Sequence, residues 1–194
     1  MSIDLLGLLK QFRAVGDFDN DNAFYRTLVP WIGPEAYLNI IYRPAPSHLL
    51  STVAKKLKLP PPVSEFLSLY NGAKLFSGAL NLYGIVEPGR LLNRSDSFSL
   101  PPYNIEGANR SWSLDPERLL AIGVYQFDGS QVCVDRSSGQ TFFFKRNQTA
   151  ADFSWADFES WLRDEISRLR FLFDSEGRRL CPESATLPHR ATPQ

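Results

Sequence analysis

Two histidines and two cysteines are the only side chains from which this chain could build a soft-metal site or a thiol nucleophile. His48 stands at the start of an apolar-periodic stretch and His189 near the C-terminus. A zinc site needs three or four Cys, His or acid ligands brought together, commonly in closely spaced pairs. Neither histidine has a second His or a Cys at such spacing. A Cys133–His48 pair has the residue types of a thiol nucleophile with its base, but Cys133 lies between Val132 and Val134 and reads as a small buried hydrophobe. Acid–base chemistry would need paired carboxylates. Asp115 with Glu117, and Asp128 with Asp135, offer them. Local context assigns these acids to turns: Asp115-Pro116 opens one, Asp128 sits in a hairpin and Asp135 precedes the next turn. No G-x-S-x-G elbow, no G-x-x-x-x-G-K phosphate loop and no G-x-G-x-x-G is present. The expectation is a protein with no catalytic residue, no metal and no cofactor.

Composition narrows the remaining classes. The 194 residues include 14 Phe, 7 Tyr and 4 Trp, and 43% are hydrophobic, enough for a real core without staples. Lys plus Arg equal Asp plus Glu at 21 each, and the signs are interspersed. That balance argues against a phosphate-backbone clamp, which needs a basic face, and against an anionic-membrane binder. Two cysteines do not make a secreted disulfide framework and read as reduced thiols. The N-terminus MSIDLLGLLKQFRAVGDF is too polar and short for a signal peptide or a span, so the expected location is cytoplasmic.

Elements then have to position whatever binds. Ile3 to Ala14 reads as an amphipathic helix, Asp17 to Asn22 as a turn, and Tyr37 to Tyr42 as a strand bounded by prolines. Ser47 reads as the N-cap of a helix over His48 to Leu57, with Lys55, Lys56 and Lys58 on its solvated side. In LPPPVSEFLSLYNGA, residues 59–73, the prolines enforce an extended approach. Val63, Phe66, Leu67 and Tyr70 then make one helical face, which Asn71-Gly72 ends. Ala79 to Val86 alternates like a strand, and a polar stretch follows from Glu87 to Pro116. Next comes a meander: Leu119 to Phe127, the Asp128-Gly129 turn, Gln131 to Asp135, Ser137 to Gly139, and Gln140 to Lys145. Ser154 with Asp157 reads as a capping box opening a long helix. Its stripe is Trp155, Phe158, Leu162, Ile166, Leu169 and Phe173, with Trp161 at the edge.

In this order the segments resemble the SUKH superfamily, the group related to the fungal Smi/Knr cell-wall regulators. LPPPVSEFLSLYNGA is similar to the family's Leu-Pro, Phe-Leu, Tyr-Asn-Gly helix, and LNLYGI to the strand after it. LLAIGVYQFDGSQVCVDRSSGQTFFF resembles its Ile-Gly … Gly … Asp … Gly meander, and FSWADFESWL its terminal helix. The likeness covers residues 47 to 173. Asp128-Gly129 departs from it where many members have a more glycine-rich turn. The resemblance implies an α+β fold, an antiparallel meander with helices packed on one face, and no enzymatic activity. It also implies protein binding, as in bacterial immunity proteins that neutralise toxins, nucleases prominent among them, or alternatively as in Smi/Knr-type regulatory scaffolds. The expected organisation is an extension over residues 1–46 packed on the main domain, a SUKH-like domain over 47–175, and a polar tail over 176–194.

A binding face needs exposed aromatics beside charge on a rigid frame. The polar stretch supplies Asp96, Phe98, Tyr103, Glu106 and Trp112, and the first hairpin supplies Tyr125 and Asp128. These seven are the expected partner contacts, for a protein partner rather than nucleic acid or membrane. Trp112 and Trp31 have two readings, core anchor or contact. Against a basic nuclease, Asp96, Glu106, Asp115, Glu117 and Asp128 would be the electrostatic contacts.

Overall fold

A computed structural model describes residues 3–10, 12, 15–87, 98, 100–111 and 114–188. Among the described residues nine strands form one sheet in sequence order: β1 (Phe18–Asp19), β2 (Ala23–Leu28), β3 (Tyr37–Tyr42), β4 (Ala73–Leu75), β5 (Leu80–Leu82), β6 (Leu119–Tyr125), β7 (Gln131–Asp135), β8 (Thr141–Phe144) and β9 (Phe153–Trp155). Every neighbouring pair is antiparallel. The helices are α1 (Leu5–Leu9), α2 (Ser47–Leu57), α3 (Pro61–Leu69), α4 (Ile105–Ser111) and α5 (Phe158–Arg170). Helices α1 and α3 each touch α5, and all three share a single core with the sheet. The fold is α+β, as the sequence implies.

An antiparallel meander puts successive connections at alternate ends of the sheet. One end receives α2, α3 and α4, carried by the β3–β4 and β5–β6 connections, together with the β7–β8 turn. The other end is made of the shorter β2–β3, β4–β5, β6–β7 and β8–β9 connections. Helix α5 starts at the helical end and delivers its C-terminus to the turn end, where Phe173 packs on Phe76 with ring centroids 5.4 Å apart.

The proline-entered helix forms where expected, with Pro60 as N-cap and Val63, Phe66 and Leu67 buried. Its end is a junction between two chain segments. Tyr70 turns extended, and the buried Asn71 side chain donates to the Ile85 carbonyl (2.8 Å) and accepts from the Ile85 N–H (2.6 Å). Gly72 takes φ +85°, and a Cβ there would lie 2.7 Å from the Leu82 carbonyl oxygen. Gly84 faces the Asn71 carbonyl so closely that no side chain fits.

Several boundaries differ from the sequence reading. Helix α1 spans five residues, and the turn at Asp17–Asn22 contains β1. Strands β2 and β4 join the sheet without having been expected. Pro46, not Ser47, occupies the N-cap of α2. Ser154 and Trp155 belong to β9, because residues 153–155 satisfy the free edge of β8, and the capping box forms one turn later between Asp157 and Ser160. Trp161 is wholly buried rather than marginal. Helix α4 lies within the stretch read as a loop. Residues beyond α5 fold back: Phe173 bridges Arg179, Leu180 N–H donates to Leu172 O (2.9 Å), and Arg168, ion-paired with buried Glu165, donates to Thr186 O (2.6 Å).

Candidate functional site

The expected contact residues are not gathered into one surface. Asp96 and Trp112 lie outside the described residues. Phe98 packs against Tyr25, Phe18 and Tyr37, and its carbonyl accepts from the Tyr25 hydroxyl (2.7 Å) and Asn22 Nδ2 (3.0 Å). It pins the polar stretch to β1–β3. Tyr103 is 55% exposed beside Gly84 at the helical end. Glu106, at the same end, is ion-paired with Lys56 (2.7 Å). Tyr125 is 0% exposed, its ring packed edge-on against Phe143, so it offers no contact surface. Asp128, at the turn end, accepts from the Ser130 N–H and hydroxyl (2.8 Å each). The other two acids, at the helical end, are also engaged: Glu117 pairs with Lys58 at 3.2 Å, and Asp115 accepts from the Arg118 N–H.

The residue types that could do chemistry do not converge either. Cys133 is fully buried in β7, where burial pushes its thiol well above the usual range. His48 is exposed in the first turn of α2. Both cysteines are free, and Cys181 is exposed. Asp135 is held well below the usual carboxylate range by the Ser137 hydroxyl, the Arg118 guanidinium and the Ser138 N–H. That satisfied state suits a structural turn, not a proton shuttle. Among the described residues no group of three His, Cys, Asp or Glu is placed to hold a metal, and no helix is long and apolar enough to cross a membrane.

A groove of about 610 Å³ opens at the turn end. Its floor is the β4–β5 turn, Phe76 to Ala79, beside Phe173. Phe76 and Ser77 both have positive φ, +53° and +55°, a costly backbone for non-glycine residues. Bonds to β3 hold them there: Phe76 N–H donates to buried Asn39 (3.0 Å) and Ser77 N–H to Leu38 O (2.7 Å). One wall is Trp31 and Ile32 from the β2–β3 connection, 43% and 58% exposed. Phe127, 54% exposed, stands on another. Sequence reading carried β6 through Phe127, but the strand ends at Tyr125, whose N–H donates to Ser130 O (2.9 Å). The resulting five-residue loop lifts Phe127 out of the sheet. The folded-back C-terminal residues close the groove.

Its charge is one-sided. Arg178 and Arg179 line it, and no acidic side chain among the described residues does. The Arg178 guanidinium lies 4.7 Å from the Trp31 ring centroid and 3.5 Å from Glu176. Two polar atoms of lining residues, Arg179 Nη2 and Ser77 Oγ, are buried with no hydrogen-bond partner among the described residues. Trp31 was the one groove residue the sequence singled out. Ile32, Phe127, Ser77 and the two arginines were missed, because each depends on where a turn ends rather than on a periodic pattern.

Residues 49–164, more than half of the chain, match the model of the SMI1 / KNR4 family (SUKH-1). No curated protein matches the chain. The matched span contains the groove floor and Phe127. Trp31, Ile32 and the C-terminal wall lie outside it.

Proposed function

The chain belongs to the SMI1/KNR4 family (SUKH-1), and from that premise we propose that it is a non-catalytic protein-binding domain, an immunity protein that binds and occludes a cognate bacterial toxin. The supporting observation is the turn-end groove, in which three large apolar side chains stand exposed on connections anchored at both ends in the sheet. Exposed aromatics clustered in a concave site are what interface hot spots are made of. Rigidity matters because a preformed groove loses little side-chain freedom on binding. Inhibition then needs only steric cover of the toxin's active centre or substrate path.

The reading divides the groove between general and particular parts. Its floor is family sequence and its Trp31, Ile32 and C-terminal walls are not. A shared platform with variable walls is an arrangement suited to distinguishing one toxin from another.

Co-expression tests it. The wild-type chain is expected to restore growth to cells poisoned by the toxin domain encoded in the adjacent reading frame. A Trp31→Ala/Phe127→Ala double variant is expected to lose rescue with its melting temperature little changed. Failure of the wild type with every neighbouring candidate would favour a Smi/Knr-type regulatory adaptor instead.

A further inference from the structure

On the protein-binding reading, we infer that the turn-end groove receives an acidic segment of the partner, an Asp or Glu carboxylate beside a large apolar side chain. The charge of the lining carries this. Arg178 and Arg179 face a groove whose lining, among the described residues, contains no acidic side chain. Arg178 is only loosely satisfied, by Glu176 at 3.5 Å with both side chains about half exposed. Arg179 Nη2 and Ser77 Oγ are buried and lack partners among the described residues. A guanidinium offers only donors, and a carboxylate is the strongest acceptor for them. The strained Phe76-Ser77 turn keeps Ser77 in the lining. The apolar half of the segment is specified by Trp31, Ile32 and Phe127. A basic segment would meet two like charges.

This reverses the polarity expected from sequence. The acids nominated to meet a basic toxin are in part already engaged by Lys56, Lys58 and Ser130. The unsatisfied charge is positive and lies at the opposite end from the first two pairs.

A random dodecapeptide display library, selected on the full-length protein, reads the preference directly. The expected winners carry Asp or Glu next to Trp, Phe, Leu or Ile. A synthetic winner with its acid changed to the amide should bind about tenfold more weakly, the loss of one charge-assisted bond. An Arg178→Gln/Arg179→Gln double variant should bind acid and amide peptides alike, and Arg179→Lys should keep the acid preference. If the double variant melts early, Arg178→Gln alone should narrow the acid–amide difference. Basic winners, an acid preference that survives in the double variant, or no enriched peptide would overturn the inference. So would a dimer in sedimentation that Trp31→Ala disperses, since a second copy would then own the groove. Toxin rescue by wild type without an acid preference would remove only this inference. An acid preference without rescue would remove only the toxin reading.

Discussion

The two ends of the sheet are built from the same nine strands and differ in how their polar groups are treated. At the helical end Asn71 is bonded on both faces of its amide to Ile85, Asp135 accepts from three neighbours, and Glu106 has its lysine. The helical end also has the Thr141 hydroxyl buried unpaired among the described residues and Lys58 at positive φ, but at the turn end an unpaired serine hydroxyl and arginine nitrogen, the adjacent positive-φ pair Phe76-Ser77 and the exposed Trp31, Ile32 and Phe127 meet around one groove. A buried polar group without a partner costs stability, and a strained turn costs more. Such costs persist where something other than the fold uses them. On the proposed reading, the helical end holds the chain together and the turn end is left available to a partner.

The comparison breaks most easily at Gly84. A Cβ there would meet the Asn71 carbonyl and lie 2.6 Å from Pro102 Cγ. Both the Asn71 and Ile85 backbones are fixed by hydrogen bonds, so neither can retreat. Gly84→Ala is expected to cost about 3 kcal/mol or to prevent folding, read in urea melts. Peptide capture at the groove should follow only the folded fraction. A neutral result would show that the junction is slack and that the difference between the ends is overstated.

Asn71→Ala comes next. It leaves the Ile85 N–H and carbonyl without their buried partner and should cost about 2 kcal/mol, with affinity for a groove ligand unchanged per folded molecule. At the other end the signs exchange. Trp31→Ala removes a half-exposed ring, so stability should move by no more than about 0.5 kcal/mol. Binding should fall by about 2 kcal/mol, roughly thirtyfold, as for a central interface aromatic. A large fall in melting temperature for Trp31→Ala would make that ring an anchor and close the argument for the groove.

What the sequence made legible follows the same division. The Tyr-Asn-Gly helix end, the meander and the aromatic stripe of α5 depend on periodicity and turn chemistry, which are local. They appeared where expected, within a few residues. β2 was missed because its buried face is Ala23, Tyr25 and Thr27 while Phe24 and Leu28 lie on its outer face, so AFYRTL shows no apolar–polar alternation. β4 was missed because three residues cannot show a period. The cap at Ser154 was misplaced because a strand-edge requirement, which only the paired sheet reveals, overrode a local match. The groove was illegible for a deeper reason: its walls come from four connections far apart in sequence. Polar stretches with aromatics attracted attention instead. There Phe98 proved to be an anchor, and Tyr125, one strand from a turn, proved to be core.

The smallest effect expected is a pH dependence at Asp135, and it tests the helical end alone. The carboxylate lies at the end of β7, where the Ser137 hydroxyl, Arg118 and the Ser138 N–H favour its charged form. Its folded value is therefore depressed below the unfolded value of about 3.9. The stabilisation is full above that unfolded value and fades as pH falls toward the folded one. Asp135→Asn keeps an oxygen for the serine donors but loses the charge. The variant should be less stable than wild type at pH 7, by less than Asn71→Ala, since Arg118 is largely in solvent and screened. The gap between variant and wild type should narrow as pH drops from about 4 to about 2, because the unfolded wild-type chain takes up a proton there that the folded carboxylate still excludes. Chemical melts across that window measure it. A gap that stays constant would mean the charge contributes nothing and the turn is held by its serine bonds alone. Since no acidic side chain among the described residues lines the groove, capture of an acidic peptide by Asp135→Asn at neutral pH should match wild type, and any loss there would mean that the two ends are coupled through the sheet.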